Sequence, residues 1–239
     1  EEIMKLSIIL PAKNEAQSLI TLLPQLIKVQ PQAEIIVVDD GSDDDTRKVC
    51  EEIGVKVVSH PYSKGNGAAI KTGARAASGE VFVFMDADGQ HRPQDIVVLI
   101  EKYEMGYDMV VGARNKGSQA SVARLFGNGL YNRVASYMTG HPIQDLTSGF
   151  RVVNGQKFRE FLYLLPNGFS YPTTITMAFF RAGYAVAYET IIAPKRVGKS
   201  HINLVKDGAR FFLIIFKIGT LYSPMKLFFP ASLLFFLTG

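Results

Sequence analysis

The 239-residue sequence has no tryptophan and a single cysteine, Cys50. One thiol excludes an internal disulfide framework and any cysteine-rich zinc site. No glycine follows the first apolar segment, which runs directly into Pro11-Ala12-Lys13-Asn14. The pyrophosphate-cradling turn of a dinucleotide-binding unit therefore cannot form there. Gly65-Asn66-Gly67 comes later, but Ile70 stands where a third glycine, or the glycine before a P-loop lysine, belongs. The sequence also lacks a G-x-S-x-G elbow and an H-E-x-x-H pair, which removes the serine-hydrolase and zincin readings. No uninterrupted apolar run reaches the roughly 20 residues of a full membrane span. The first run, 6–10, is strand-like and too short for a secretory signal, so a cytosolic face is expected.

Charge is present but unevenly spread. The net charge is +4, and residues 193–239 hold seven Lys or Arg against one acid, Asp207. A basic end suggests a nucleic acid, an anionic lipid or a phosphate ligand. The runs 211–216 and 227–237 are rich in Phe, Leu and Ile, a composition that fits a membrane surface and not a DNA-binding arm. Residues 201–222 are expected to form interfacial helices, with Lys206, Arg210 and Lys217 near one face, and 223–239 to begin a transmembrane segment. Residues 1–200 form the remaining domain.

Within that domain, strand-like and helix-like patterns alternate. Strands are expected at 6–10, 35–38, 55–59, 81–85, 109–112, 150–153 and 185–192. Helices are expected at 15–29, 43–53, 67–77, 96–104, 130–139, 158–165 and 174–182. The order implies a doubly wound, mostly parallel α/β sheet. Residues 114–127, basic and glycine-containing, read as an active-site loop.

Three strand ends carry polar groups. The apolar run 81–85 stops at Asp86-Ala87-Asp88-Gly89-Gln90, the run 35–38 at Asp39-Asp40-Gly41-Ser42, and the first strand at Pro11-Ala12-Lys13-Asn14-Glu15. Ionised carboxylates are costly in a core and belong at the strand mouth, where open α/β sheets bind ligands. Asp86, Asp88 and the Gln90 amide form a hard-oxygen set suited to Mg2+ or Mn2+. Lys64-Gly65-Asn66-Gly67 is a basic turn opening a helix, a place that favours anions. In Asp145-Leu146-Thr147-Ser148-Gly149-Phe150-Arg151, the hydroxyls and backbone amides could grip a phosphate that Arg151 pairs with.

Taken in order, these segments and Arg196-Val197-Gly198-Lys199-Ser200 resemble the family 2 GT-A glycosyltransferases, in particular the polyprenyl-phosphate and dolichol-phosphate sugar transferases. The resemblance spans about 5–222. It implies a GT-A fold and inverting transfer of a sugar from a UDP- or GDP-sugar to a polyprenyl phosphate. By this resemblance Pro11, Lys13, Glu15, Val38, Asp40, Lys64, Asp86, Ala87, Gln90, Arg196, Lys199 and Ser200 hold the nucleotide-sugar. Asp86, Asp88 and Gln90 hold the metal. Arg114, Thr147, Ser148 and Arg151 meet the acceptor phosphate, and Asp88, Asp145, Arg114 and Arg196 carry catalysis, with Asp145 orienting or base-like. The implied partners are the donor, the lipid acceptor and the membrane, with no nucleic acid and a possible homo-oligomer. Two alternatives stand beside it: a related enzyme with a hydroxyl acceptor, and a non-catalytic nucleotide-sugar-binding scaffold. The absence of tryptophan removes the Gln-x-x-Arg-Trp segment of processive polysaccharide synthases. The segment Phe169-Ser170-Tyr171-Pro172-Thr173-Thr174 lacks the acidic residue that mannose synthases carry hereabouts, which leaves the sugar open.

Overall fold

Apolar runs rich in Val, Ile and Phe become strands, and the segments between them that bury one stripe become helices. The computed structural model describes residues 4–114, 122–168, 170–191 and, towards the C-terminus, 212–214, 216–217, 219–221 and 223–238. The strands are β1 (Leu6–Ala12), β2 (Glu34–Asp39), β3 (Lys56–Ser59), β4 (Val81–Phe84), β5 (Met109–Arg114), β6 (Arg151–Asn154) and β7 (Val186–Ile191). The helices between them are α1 (Ala16–Val29), α2 (Thr46–Ile53), α3 (Asn66–Ala76), α4 (Asp95–Glu104), α5 (Val122–Thr139), α6 (Gly155–Arg159) and α7 (Tyr171–Arg181). Two more, α8 (Phe212–Leu221) and α9 (Pro224–Thr238), follow.

One seven-stranded sheet has the order β3-β2-β1-β4-β6-β5-β7. All pairings are parallel except those of β6, which runs antiparallel to both β4 and β5. This reversal has a consequence for the site. Arg151 at the start of β6 lies opposite Phe84 at the end of β4 and Val111 in β5. Residues 145–150, which precede β6, therefore arrive at the same sheet edge as the carboxyl ends of β1, β2, β4 and β5.

Each face of the sheet is covered. On one, Leu19, Leu22, Leu23 and Leu26 of α1, Cys50 of α2 and Ile96 and Leu99 of α4 pack against Ile8, Leu10, Val37 and Val83. On the other, Ala69 and Ile70 of α3 and Ile175 and Phe179 of α7 pack against Ile9, Val38, Phe82 and Phe84. Each fully buried Leu, Ile or Phe contributes about 1.5–3 kcal/mol relative to exposure, which fixes the layers and with them the strand ends. Cys50 is wholly buried, and burial pushes its thiol up to about 11, consistent with an inert core position.

Three expected elements differ. The helix expected at 158–165 is the shorter α6, starting earlier because the Asn154 side chain accepts from the Lys157 amide at 3.0 Å. α5 begins at Val122, so residues 122–127 of the expected loop 114–127 are helix, and 115–121 lie outside the described residues. In α1 the helical spacing of Leu19, Leu22, Leu23 and Leu26 runs on to Ile27, but Ile27 is 39% exposed while those four leucines are buried. No single helix among the described residues is long and apolar enough to cross a membrane. The 15 residues of α9 reach about 22 Å at 1.5 Å per residue, short of the roughly 30 Å hydrocarbon core.

Candidate active site at the carboxyl edge of the sheet

The ends of β1 and β2 are tied together through their turns. Asn14 sits in the left-handed region (φ 56°), which asparagine tolerates better than most residues. Its amide donates to Ser42 Oγ at 2.9 Å, and its side-chain oxygen accepts from the Asp43 amide at 2.8 Å. The Glu15 amide donates to Thr46 Oγ1 at 3.0 Å, and the Ala16 amide to Asp44 Oδ2 at 3.1 Å. Pro11 and Glu15 are half-buried on this ledge and Lys13 is exposed. Val38 and Ala87 stand at the same strand ends with buried side chains, Val38 against α3 and Ala87 on the α1 side.

Asp40 is only 5% exposed. Its carboxylate accepts from Ser63 Oγ (2.8 Å), the Lys64 amide (2.8 Å) and the Gly65 amide (2.9 Å), and His60 Nδ1 lies at 2.7 Å. Burial raises its pKa, but these hydrogen bonds outweigh burial and hold it below the usual carboxylate range. Asp40 thus shapes the 60–65 turn from inside, a role not evident from its place in the Asp-Asp-Gly-Ser run. His60 bridges onward, with Nε2 at 2.9 Å from Thr72 Oγ1. The Lys64 side chain is exposed. The helix start that follows is not open to an anion: the Gly67 and Ala68 amides donate to the carbonyls of Gly168 and Asn167 at 3.1 and 2.9 Å. A Cβ on Gly67 would lie 1.9 Å from the Pro166 carbonyl oxygen, so glycine permits this contact.

Asp86 and Asp88 follow β4 and diverge. The Asp86 side chain is 43% exposed and lines a cavity of about 90 Å3 with Asn66, Thr147, Gly149, Ser170, Tyr171, Pro172 and Thr173. A Cβ on Gly149 would come within 3.3 Å of its carboxylate, so this glycine leaves room at Asp86. Asp88 lines a neighbouring cavity with Ser18, Thr21, Gly89, His91 and Arg92, and its Oδ1 accepts from the Gln90 amide at 3.1 Å. His91 is buried and stacked on Phe150 at 4.8 Å, with Nε2 3.8 Å from Asp86 Oδ2. It was missed in the sequence, although it directly follows Gln90. No group of three or more His, Cys, Asp or Glu forms a metal cage among the described residues. That donor set fits a small hard cation that takes one or two carboxylates and completes its shell with substrate phosphates and water.

Across the first cavity, Arg114 and Asp145 form a forked pair. Arg114 Nε and Nη2 donate to Asp145 at 2.8 and 2.9 Å, and the Thr147 and Ser148 amides donate to the same carboxylate at 3.1 Å. Burial raises the Asp145 pKa, but the Arg114 hydrogen bonds and charge outweigh it and keep the carboxyl below its ordinary range. A carboxylate so engaged is a poor base, contrary to the base-like role considered for it. Arg114 keeps 32% of its side chain exposed and can still face a ligand. Ser148 and Arg151 cannot. Ser148 is buried and donates its hydroxyl to the Gly112 carbonyl at 2.7 Å. Arg151 is 0% exposed, donating to the Ser148 carbonyl and to Thr176 Oγ1 at 3.1 Å, with its guanidinium 5.7 Å from the Tyr171 ring. It anchors the 148–151 turn to α7 instead of meeting an acceptor. Arg196, Lys199 and Ser200 lie outside the described residues.

The sequence profile of glycosyl transferase family 2 matches residues 7–162. The chain is 26% identical over 228 residues to glycosyltransferase AglJ of Haloferax volcanii, covering 92% of this chain and 74% of that protein. It is 40% identical over 117 residues to a dolichol-phosphate mannosyltransferase of Pyrococcus furiosus, covering 46% of this chain and 33% of that one. It is 34% identical over 155 residues to an undecaprenyl-phosphate 4-deoxy-4-formamido-L-arabinose transferase of Proteus mirabilis, covering 61% and 47%. The chain thus spans less than half the length of these last two relatives. Among solved structures, glucosyl-3-phosphoglycerate synthase of Mycobacterium tuberculosis superposes with a TM-score of 0.74 at 20% identity, over 90% of this chain and 80% of that one, a likeness of fold.

Proposed function

We propose that this chain, which belongs to glycosyl transferase family 2, moves a sugar from a nucleotide-sugar to a polyprenyl or dolichyl phosphate at a membrane surface. The observation that carries the choice of acceptor is the state of Asp145. A hydroxyl acceptor needs a general base within reach of its proton. Asp145 beside Arg114 and Thr147 is saturated with donors and held ionised. A phosphate monoester needs no such help, since its second pKa is near ~6 and it arrives anionic. The relatives named as dolichol- and undecaprenyl-phosphate transferases support the same reading.

In this reading the donor lies along the ledge formed by Pro11, Lys13, Glu15 and the 60–65 turn. Its diphosphate reaches Asp86, Asp88 and Gln90, which would hold Mg2+ or Mn2+. The ion supplies charge stabilisation to the leaving diphosphate. Arg114, fixed in direction by Asp145, holds positive charge against the incoming lipid phosphate, with Thr147 beside it. Arg196, Lys199 and Ser200 are assigned to closing over the diphosphate. Attack in line from the acceptor oxygen forms the new bond to the anomeric carbon as the bond to the diphosphate breaks, inverting that centre. Catalysis rests on positioning and charge.

The membrane part of the proposal draws on α8 and α9. Phe212, Phe216, Phe228, Phe229 and Phe236 are all at least 45% exposed, Phe236 as much as 83%. Large exposed aromatic side chains concentrated on one pair of helices mark an interaction surface. The pair is anchored to the domain at the end of α5: Ser223 Oγ donates to the Met138 carbonyl at 3.3 Å and Lys226 Nζ to the Tyr137 carbonyl at 3.0 Å. Insertion of these aromatics would seat the domain at headgroup depth.

Presented with UDP- and GDP-sugars and Mg2+ or Mn2+, the chain is expected to glycosylate polyprenyl phosphate in vesicles and to leave the matching polyprenol unmodified, as read by product mass. Equal use of the alcohol would replace this proposal with a hydroxyl acceptor.

A further inference from the structure

Residues 141–150 carry Asp145 and Thr147 to the site, yet they form neither helix nor strand. A segment without a ladder of its own has to be fixed by side chains. Two of these come from α5. Ser136 Oγ accepts from the Ile143 amide at 2.9 Å. Asn132 does more: its Nδ2 donates to the Gln144 carbonyl at 2.7 Å, and its Oδ1 accepts from the Leu146 amide at 3.1 Å. One planar side-chain amide thus spans the two peptide groups that join Asp145 to its neighbours, using both its donor and its acceptor. Beside it, Leu146 is wholly buried in a cluster with Ala135 and Met138 of α5 and Met177 of α7. Asparagine is a weaker helix former than alanine, so its place within α5 asks for a reason.

Asp145 supplies that reason. Its carboxylate holds the Arg114 guanidinium by two bonds, at 2.8 and 2.9 Å, and accepts from the Arg114 amide at 3.3 Å. The direction in which Arg114 points is therefore set by where the backbone of 144–146 lies. The same helix also carries the apolar pair at the C-terminus. The Tyr131 ring, next to Asn132 in the chain, meets Phe212 of α8 edge-on at 5.5 Å. Gly219 of α8 packs on Met138 so closely that a side chain there would have no room. One helix thus holds both the surface assigned to the membrane and the turn that aims Arg114. Building on the transferase reading above, we infer that Asn132 is a positioning residue, which fixes Asp145, and through it Arg114, at the depth where a lipid phosphate arrives. In this role Asn132 touches neither substrate. It keeps the charged fork from swinging as the acceptor enters.

The test compares Asn132→Ala with Ser136→Ala, which removes the neighbouring tie between α5 and the same segment. Both should lower the melting temperature by under about 8 °C, the scale of one or two hydrogen bonds near the surface. Only Asn132→Ala should lower kcat/KM for polyprenyl phosphate in vesicles, by about 10- to 100-fold, as a misplaced binding group does. KM for the nucleotide-sugar, and binding of UDP or GDP with Mn2+, should change less than about twofold in either variant. The effect should also depend on Arg114: added to Arg114→Ala, Asn132→Ala should cost less than about twofold more. Should Asn132→Ala fail to fold, Asn132→Asp carries the test, since it keeps the acceptor for Leu146 and loses the donor to Gln144. Unchanged acceptor use in the Asn132 variant, an equal loss in Ser136→Ala, or a full further loss on top of Arg114→Ala would overturn this inference while leaving wild-type transfer intact. So would a donor KM that shifts as much as the acceptor's. A wild type that transfers no sugar from any UDP- or GDP-sugar would instead defeat the function proposed above, and this inference with it.

Discussion

Asp88→Asn should lower sugar transfer by about 10^3-fold while leaving the protein folded. The loss follows from removing one of two carboxylates assigned to the cation, an interaction of several kcal/mol at the developing charge of the leaving diphosphate. The fold should be spared because Asp88 stands at a strand mouth lining an open cavity, outside the packed layers. Its Oδ1 accepts from the Gln90 amide, and an asparagine oxygen can accept the same hydrogen bond. Unfolding free energy should stay within about 0.5 kcal/mol of wild type, as for a substitution away from the core. Near-normal turnover in the variant, or full activity of wild type in excess chelator, would remove the metal from the reaction.

Asp145→Ala should act in the opposite way, through stability first. It leaves the Arg114 guanidinium partly buried without its counter-charge and strips the acceptor from the Thr147 and Ser148 amides. Breaking one side of such a pair costs about 3–5 kcal/mol. The effect should depend on pH. Asp145 is held below its ordinary range in the folded chain, so its contribution is fully present above the unfolded value of about 3.9 and is lost as pH falls through the folded value. The advantage of wild type over Asp145→Ala should therefore shrink below about pH 4 when urea unfolding is followed from pH 7 down to pH 3. Glu34, held at about 2 by Ser7, Ser78 and Lys56 against the effect of burial, adds to acid sensitivity in both proteins and cancels in the difference. A variant within 1 kcal/mol of wild type at pH 7 would contradict the pairing.

Much of this was legible in the residues because local chemistry and global fold agree. Apolar runs ending in acids marked β2 and β4, and the alternation around them gave a mostly parallel sheet. The acids themselves were harder to rank. Asp40, Asp86, Asp88 and Asp145 look alike in sequence, but burial separates them into two that organise loops and two that line cavities. Arg151 shows the same limit: a charged residue after a small polar turn reads as a ligand for phosphate, whereas the antiparallel reversal of β6 carries it beneath α7 and buries it. The partners that bury it lie 21 and 25 residues further on, at Pro172 and Thr176, beyond the reach of any local pattern.

The placement of the reaction is tested most directly by locating manganese in crystals of the chain grown with Mn2+ and UDP or GDP. The anomalous peak should fall between Asp86 and Asp88 within reach of the Gln90 amide, at the roughly 2.1 Å typical of small hard cations, with the diphosphate completing its shell. The nucleoside should run toward Glu15 and the 60–65 turn. A peak held by other residues, or a nucleotide bound away from the carboxyl edge of β4, would contradict the assignment of this edge as the site of transfer.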